Sequence, residues 1–182
     1  MRTKAVSSFL LGLCLAAGAG CSSQPKAPDV KPSIEQALTQ AGLKDVSVSQ
    51  DRDKGVVTLV GSVASDAEKS QAMSIAQSAA GSEVVSNEIA VRPKGDESTA
   101  RTVDSDLDKA IDKNLDAKLV ELKLQHAVRY DVKNGVVTLK GNVTSQSQRA
   151  MVEKVTSGVP NVKQVVNELE VKNRKATTTN NG

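Results

Sequence analysis

The sequence predicts an α+β protein made of two tandem copies of one small α-β-β-α-β unit, each a three-stranded mixed sheet packed by two helices. Three observations carry this. Residues 55–91 align without gaps on residues 135–171 at an offset of 80, with 12 of 37 positions identical. Within each copy, stretches of apolar/polar alternation flank a stretch of helical periodicity. Valine dominates the alternating stretches, as strands prefer.

The first unit is read over residues 33–92. A helix starts near Ser33, with Ile34, Ala37 and Leu38 on one face, and stops at Gly42. A strand follows over Val46–Gln50, then the charged turn Asp51-Arg52-Asp53-Lys54. In the next strand Val57, Leu59 and Val63 share one face, with Gly61 between them. Ser65 and Glu68 form a capping box that opens a second helix burying Ala72, Ile75, Ala76 and Ala79. The closing strand turns Val85, Asn87, Ile89 and Val91 inward.

Residues 93–102 (PKGDESTART) read as a polar linker, and the second unit covers 103–172. Its first helix begins near Asp104 and carries Leu107, Ala110, Ile111 and Leu115. A strand follows over about Ala127–Val132, and Asn134-Gly135 marks a tight hairpin. Val137, Leu139 and Val143 face inward, with Gly141 among them. Thr138, Lys140 and Asn142 occupy the other face, so this sheet is expected to be wet on one side. Ser145 and Gln148 repeat the capping box, and Val152, Val155 and Val159 repeat the helical register. Val165, Asn167, Leu169 and Val171 close the unit. Residues 173–182 are read as a disordered tail.

The repeated glycines and asparagines have structural readings. Gly55 and Gly135 supply turn dihedrals. Gly61 and Gly141 are expected to leave room for a helix against the strand. Asn87 and Asn167 sit at inward positions, where a buried amide must be hydrogen-bonded, and are expected to pin a loop backbone.

Residues 1–20 read as a secretory signal. Arg2 and Lys4 precede the apolar run Phe9–Ala17, which is too short to span a bilayer as a mature helix. Gly18-Ala19-Gly20-Cys21 resembles a lipobox, with Gly18 where a large aliphatic residue is usual. The resemblance implies acylation of Cys21. Ordinary cleavage near Ala19 or Gly20 is the alternative, giving a soluble periplasmic protein. Once the leader is gone Cys21 has no second cysteine to pair with, and residues 21–32 have a tether's polar, proline-rich character. Ser22 rather than Asp after the cysteine points to an outer-membrane lipoprotein facing the periplasm.

The pattern G-x-V-x-L-x-G followed by V-x-N occurs twice, as Gly55–Gly61 with Val85-Ser86-Asn87 and as Gly135–Gly141 with Val165-Val166-Asn167. Gly158-Val159 precedes the last strand of the second copy. The first copy has Ser78–Gly81 there, and its turn is expected to differ. Over 33–172 the chain resembles the tandem BON-domain proteins of the bacterial envelope. That resemblance implies a non-enzymatic protein that binds phospholipid or a membrane surface and supports envelope integrity under osmotic stress, with no cofactor. An envelope module that binds proteins rather than lipid is the other reading.

Charge narrows the partners. Without Arg2 and Lys4 the chain has 22 basic and 21 acidic side chains, so bulk charge does not point to a polyanion. No G-x-x-G pair follows the leader, which argues against a nucleic-acid module. His126 lacks the companion ligands of a metal site and reads as an ordinary strand-edge residue. Residues 31–94 carry 7 basic and 8 acidic groups, against 13 and 10 in residues 103–175. Lys109, Lys113, Lys118, Lys123 and Arg129 are therefore the candidates for contact with anionic phospholipid. With no Trp or Phe after the leader, such contact is expected to be shallow and salt-sensitive.

Overall fold

A computed structural model describes residues 26–172. The leader, Cys21 and the tail 173–182 lie outside them. The first unit comprises α1 (Lys31–Gln40), β1 (Val46–Asp51), β2 (Val56–Val63), α2 (Asp66–Ala80) and β3 (Val84–Val91). The second comprises α3 (Glu97–Glu121), β4 (Val128–Lys133), β5 (Val136–Val143), α4 (Gln146–Ser157) and β6 (Gln164–Val171). The sheets are ordered β1-β2-β3 and β4-β5-β6. In each, the hairpin pair is antiparallel and the pair closed by the crossover helix is parallel. The α+β double unit is as the alternation predicts.

The inward residues close two cores. In the first, Ile34 and Leu38 of α1 and Ala72 and Ala76 of α2 pack on Val57, Leu59 and Ile89. In the second, Ile111, Leu115 and Leu119 of α3 and Val152 of α4 pack on Val137, Leu139 and Leu169. Tyr130, the one aromatic residue of the fold, sends its hydroxyl to the Asp116 carboxylate at 2.7 Å and the Asp112 carbonyl at 3.1 Å, tying β4 to α3. Burial, and then the hydrogen bond to Asp116, push the phenol pKa far above its usual value.

Both helix caps form. Ser65 accepts from Glu68 N at 3.2 Å and Ser145 from Gln148 N at 3.1 Å. The return bonds land one residue ahead of the cap, from Ala64 N to Glu68 and from Thr144 N to Gln148. The two helix exits differ as expected: α2 ends on Gly81 at φ 62°, whereas Gly158 stays helical and Asn161 carries the positive φ of 68°.

Three expectations are corrected. First, α3 starts at Glu97, not near Asp104, so most of the supposed linker is helix. Past Gly95 that run contains no helix breaker, the Glu97 carboxylate accepts from Gly95 N, and Arg92 pairs with Asp104. Polarity alone misled the reading. Second, Gly61 and Gly141 do not make room for a helix. They sit at φ 133° and 123°, and a Cβ there would run into the Asp45 and Ala127 carbonyl oxygens of the neighbouring strand's entry. Third, the outer face of the second sheet is only half wet. Lys140 and Asn142 are exposed, but Val136 and Thr138 are buried.

Candidate functional site

Outward valines explain that covered half. Val56 of the first unit packs with Val136 and Val166 of the second, and all three are 5% exposed or less. Ser86, on the outer face of β3, is 1% exposed. The two sheets thus meet across their outer faces, with the helices outside.

The contact has an approximate two-fold character. Lys54, just before the first turn glycine, reaches the Glu168 carboxylate at 2.6 Å. Asn134, just before the second turn glycine, donates to the Glu88 carbonyl at 2.7 Å. Lys133 approaches the Glu88 carboxylate at 3.5 Å. Glu88 and Glu168 are equivalent in the repeat, so each unit presents the same patch to the other, as in an isologous dimer. The hydrogen bond to Glu168 holds the Lys54 pKa above the ordinary lysine value. A raised lysine pKa means that this contact contributes at neutral pH and is lost only as pH climbs through the folded value, above the usual lysine range.

Gln164 carries the asymmetric part. Its amide accepts from Asn87 N at 3.1 Å and donates to the Val85 carbonyl at 2.6 Å, capping the free edge of β3. The equivalent position in the first unit is Val84, which cannot cap β6. Gln164→Ala is expected to cost about 1 kcal/mol. It should also speed hydrogen exchange at the Asn87 amide, measured by NMR, with little change at Leu169.

The inward asparagines pin helix and strand rather than a loop. Asn87 donates to the Lys69 carbonyl on α2 at 3.3 Å and accepts from Ile89 N at 3.3 Å. Asn167 does the same with the Arg149 carbonyl on α4 and Leu169 N, and adds the Glu153 carboxylate at 2.8 Å. Side chains return the bond, Lys69 to the Ile89 carbonyl and Arg149 to the Asn167 carbonyl, both at 2.7 Å. Burial lowers the Lys69 pKa. Gly55 and Gly135 do supply turn dihedrals, at φ 65° and 81°, and the Asp108 carboxylate clamps the second turn through Asn134 N and Gly135 N.

The candidate basic residues are not gathered on one face. Lys109 and Lys113 lie on adjacent turns of α3, but Lys118 is about 180° around the helix from Lys109. Lys109 pairs with Asp106 and Lys118 with Glu121. Lys123 lies past the end of α3, and Arg129 is on the exposed side of β4. His126 is exposed on the turn before β4. Among the described residues no group of three or more His, Cys, Asp or Glu side chains is placed to hold a metal ion. Among them, too, no helix is long and apolar enough to cross a membrane.

With this geometry in view, comparison with known proteins is decisive for the family. The BON domain pattern matches residues 29–93 and again residues 103–173. The chain belongs to the BON-domain family. Osmotically-inducible protein Y of Escherichia coli (strain K12) is 32% identical over 132 residues, covering 71% of this chain and 64% of that protein. The match thus spans somewhat less than two thirds of that relative. Among solved structures, CdsD, a structural protein of the type III secretion system of Chlamydia trachomatis, aligns over 81% of this chain at 14% identity and a TM-score of 0.36. Its C-terminal domain aligns over 78% at 13% identity and a TM-score of 0.30. Both likenesses are too remote to bear on function. In this BON tandem the residues shared by the repeats are spent on turns, helix caps, the two cores and the contact between units. Sequence reasoning missed Gln164, Lys54 and Asp108. The identity of Glu88 and Glu168 at an outward strand position was the available signal for the contact.

Proposed function

We propose that this BON tandem is a non-enzymatic protein of the bacterial envelope that sits at a membrane surface and supports tolerance of osmotic stress. The observation that carries the reading is the paired BON match, together with the likeness to an osmotically inducible protein. Turns, caps and packing account for the repeated residues, in keeping with a non-enzymatic role.

The proposed anchor is acylated Cys21, with soluble periplasmic release as the alternative if cleavage falls nearby. The described part of the tether supports a short leash. Ala27 N donates to the Arg52 carbonyl at 2.9 Å, the Arg52 guanidinium returns to the Ala27 carbonyl, and Gln50 donates to the Pro28 carbonyl. Only five residues lie between Cys21 and Ala27, a reach of about 20 Å over six chain steps. An acylated Cys21 would therefore keep the β1–β2 hairpin close to the bilayer. The proposed lipid contacts are Lys109 and Lys113, with Lys118, Lys123 and Arg129 on other faces of the same unit.

Flotation tests the lipid contact apart from the anchor. The mature chain carrying Cys21→Ser is mixed with vesicles of phosphatidylglycerol and phosphatidylethanolamine. Binding at low salt is expected, falling steeply toward physiological salt. Lys109→Glu with Lys113→Glu should weaken it at least about thirtyfold, at about 1 kcal/mol per lysine lost near an anionic surface. No flotation at low salt would overturn the reading.

A further inference from the structure

The two units treat their hairpin edges differently. In an antiparallel pair, alternate residues turn their N–H and C=O groups away from the partner strand. The Asn142 N to Ala127 carbonyl bond sets the phase for β4, and the Tyr130 and Val132 backbone groups point outward. In the first unit the ladder equivalents of Tyr130 and Val132 are Val48 and Gln50, and the segment Ala27–Val30 lies against the hairpin end of that edge, bonding the Gln50 side chain and the Arg52 carbonyl. In the second unit the chain ahead of the helical core is itself helix, the early turns of α3. A groove of about 420 Å³ stands beside β4 instead, lined by Tyr130, Asp131, Val132, Asp108, Asp112 and Arg101 among others.

The groove's charges are largely committed. Asp104 holds Arg92, Lys109 turns to Asp106, and Asp108 clamps the hairpin. Asp112 and Asp131 remain facing the edge and outnumber Arg101. An open strand edge with an acidic flank suits one kind of occupant. We propose that the outer edge of β4 at Tyr130–Val132 docks an extended segment of a partner protein bearing lysine or arginine at alternate positions. Main-chain hydrogen bonds give the affinity and the aspartates select the charge. The site does not depend on lipid contact.

The probe is a short capped peptide of alternating lysine and threonine, titrated into the mature Cys21→Ser chain and followed by backbone NMR. Shift changes and slowed amide exchange are expected to centre on Tyr130, Asp131 and Val132. The glutamate–threonine counterpart should bind at least tenfold more weakly. Asp112→Asn with Asp131→Asn should weaken the lysine peptide about tenfold, leaving the fold intact because both side chains are exposed. Val132→Pro, which removes an outward N–H and no ladder bond, should abolish binding. The proposal is overturned by absence of binding at millimolar peptide, by shifts centred elsewhere, including on Ala27–Arg52, or by equal binding of the acidic peptide.

Discussion

Gly141→Ala is expected to leave the second unit only marginally folded at room temperature. Gly141 lies opposite Val128 in the β4–β5 ladder, at φ 123°, and the added methyl would overlap the Ala127 carbonyl oxygen. That oxygen cannot withdraw, because it accepts the bond from Asn142 N at 3.1 Å that starts the ladder. Backbone strain in a region reserved for glycine and steric overlap in a packed strand together cost about 3–5 kcal/mol. Small domains have little more than that in total. Gly61→Ala should do the same to the first unit, against the Asp45 carbonyl. Gly42 is the control. It also has a positive φ of 81°, but its Cβ would stand in open space, so Gly42→Ala should cost about 1–2 kcal/mol. Urea unfolding followed by circular dichroism measures all three. Equal midpoints for Gly141→Ala and Gly42→Ala would remove the steric argument and leave only the dihedral one.

Val166→Asp is expected to separate the two units while leaving each folded. Val166 is 1% exposed and faces Val56 and Val136, away from its own unit's helices. Burying the carboxylate there would add a desolvation penalty to a loss of about 1.5–3 kcal/mol of apolar burial. Undocking relieves the desolvation penalty, and the two helix-facing cores, which do not include this residue, stay intact. The lock's remaining contacts, from Lys54, Asn134 and Gln164, are partly exposed polar bonds of modest worth. Small-angle scattering should show a larger radius of gyration than in the unsubstituted chain, with far-ultraviolet dichroism almost unchanged. Val166→Thr, similar in shape and uncharged, should leave the units docked. Unchanged scattering for Val166→Asp would contradict the packing of the two outer faces.

Much of this architecture is legible from the chain. Strand alternation placed Val57, Leu59 and Ile89 inward, and the Ser65 and Ser145 caps fixed where the crossover helices begin. Asn134-Gly135 announced its hairpin, with φ values of 52° and 81°. What stayed hidden depends on partners distant in sequence. Periodicity says which face Val56 and Val166 occupy, but not that another sheet covers it. The glycine at 61 is marked as special by its repeat at 141, yet only the strand register reveals the opposing carbonyl. Asn87 reads as a buried amide needing bonds, and three dimensions supply Lys69 of α2 and Ile89 N. The extra turns of α3 were lost because a polar helix start looks like a linker until Arg92 is found beside Asp104. The candidate lysines illustrate the limit most plainly. Their positive charge is visible in sequence, whereas the pairing of Lys109 and Lys118 with neighbouring acids is not.

The BON pair forms one body through a shared patch, and methyl–methyl NOE measurements on the valine-labelled mature chain test this most directly. Cross-peaks linking Val56 to Val136 and Val166 are expected, and they should vanish in Val166→Thr for the substituted position alone. Cross-peaks confined within each unit, with none between Val56 and the second unit, would contradict the account.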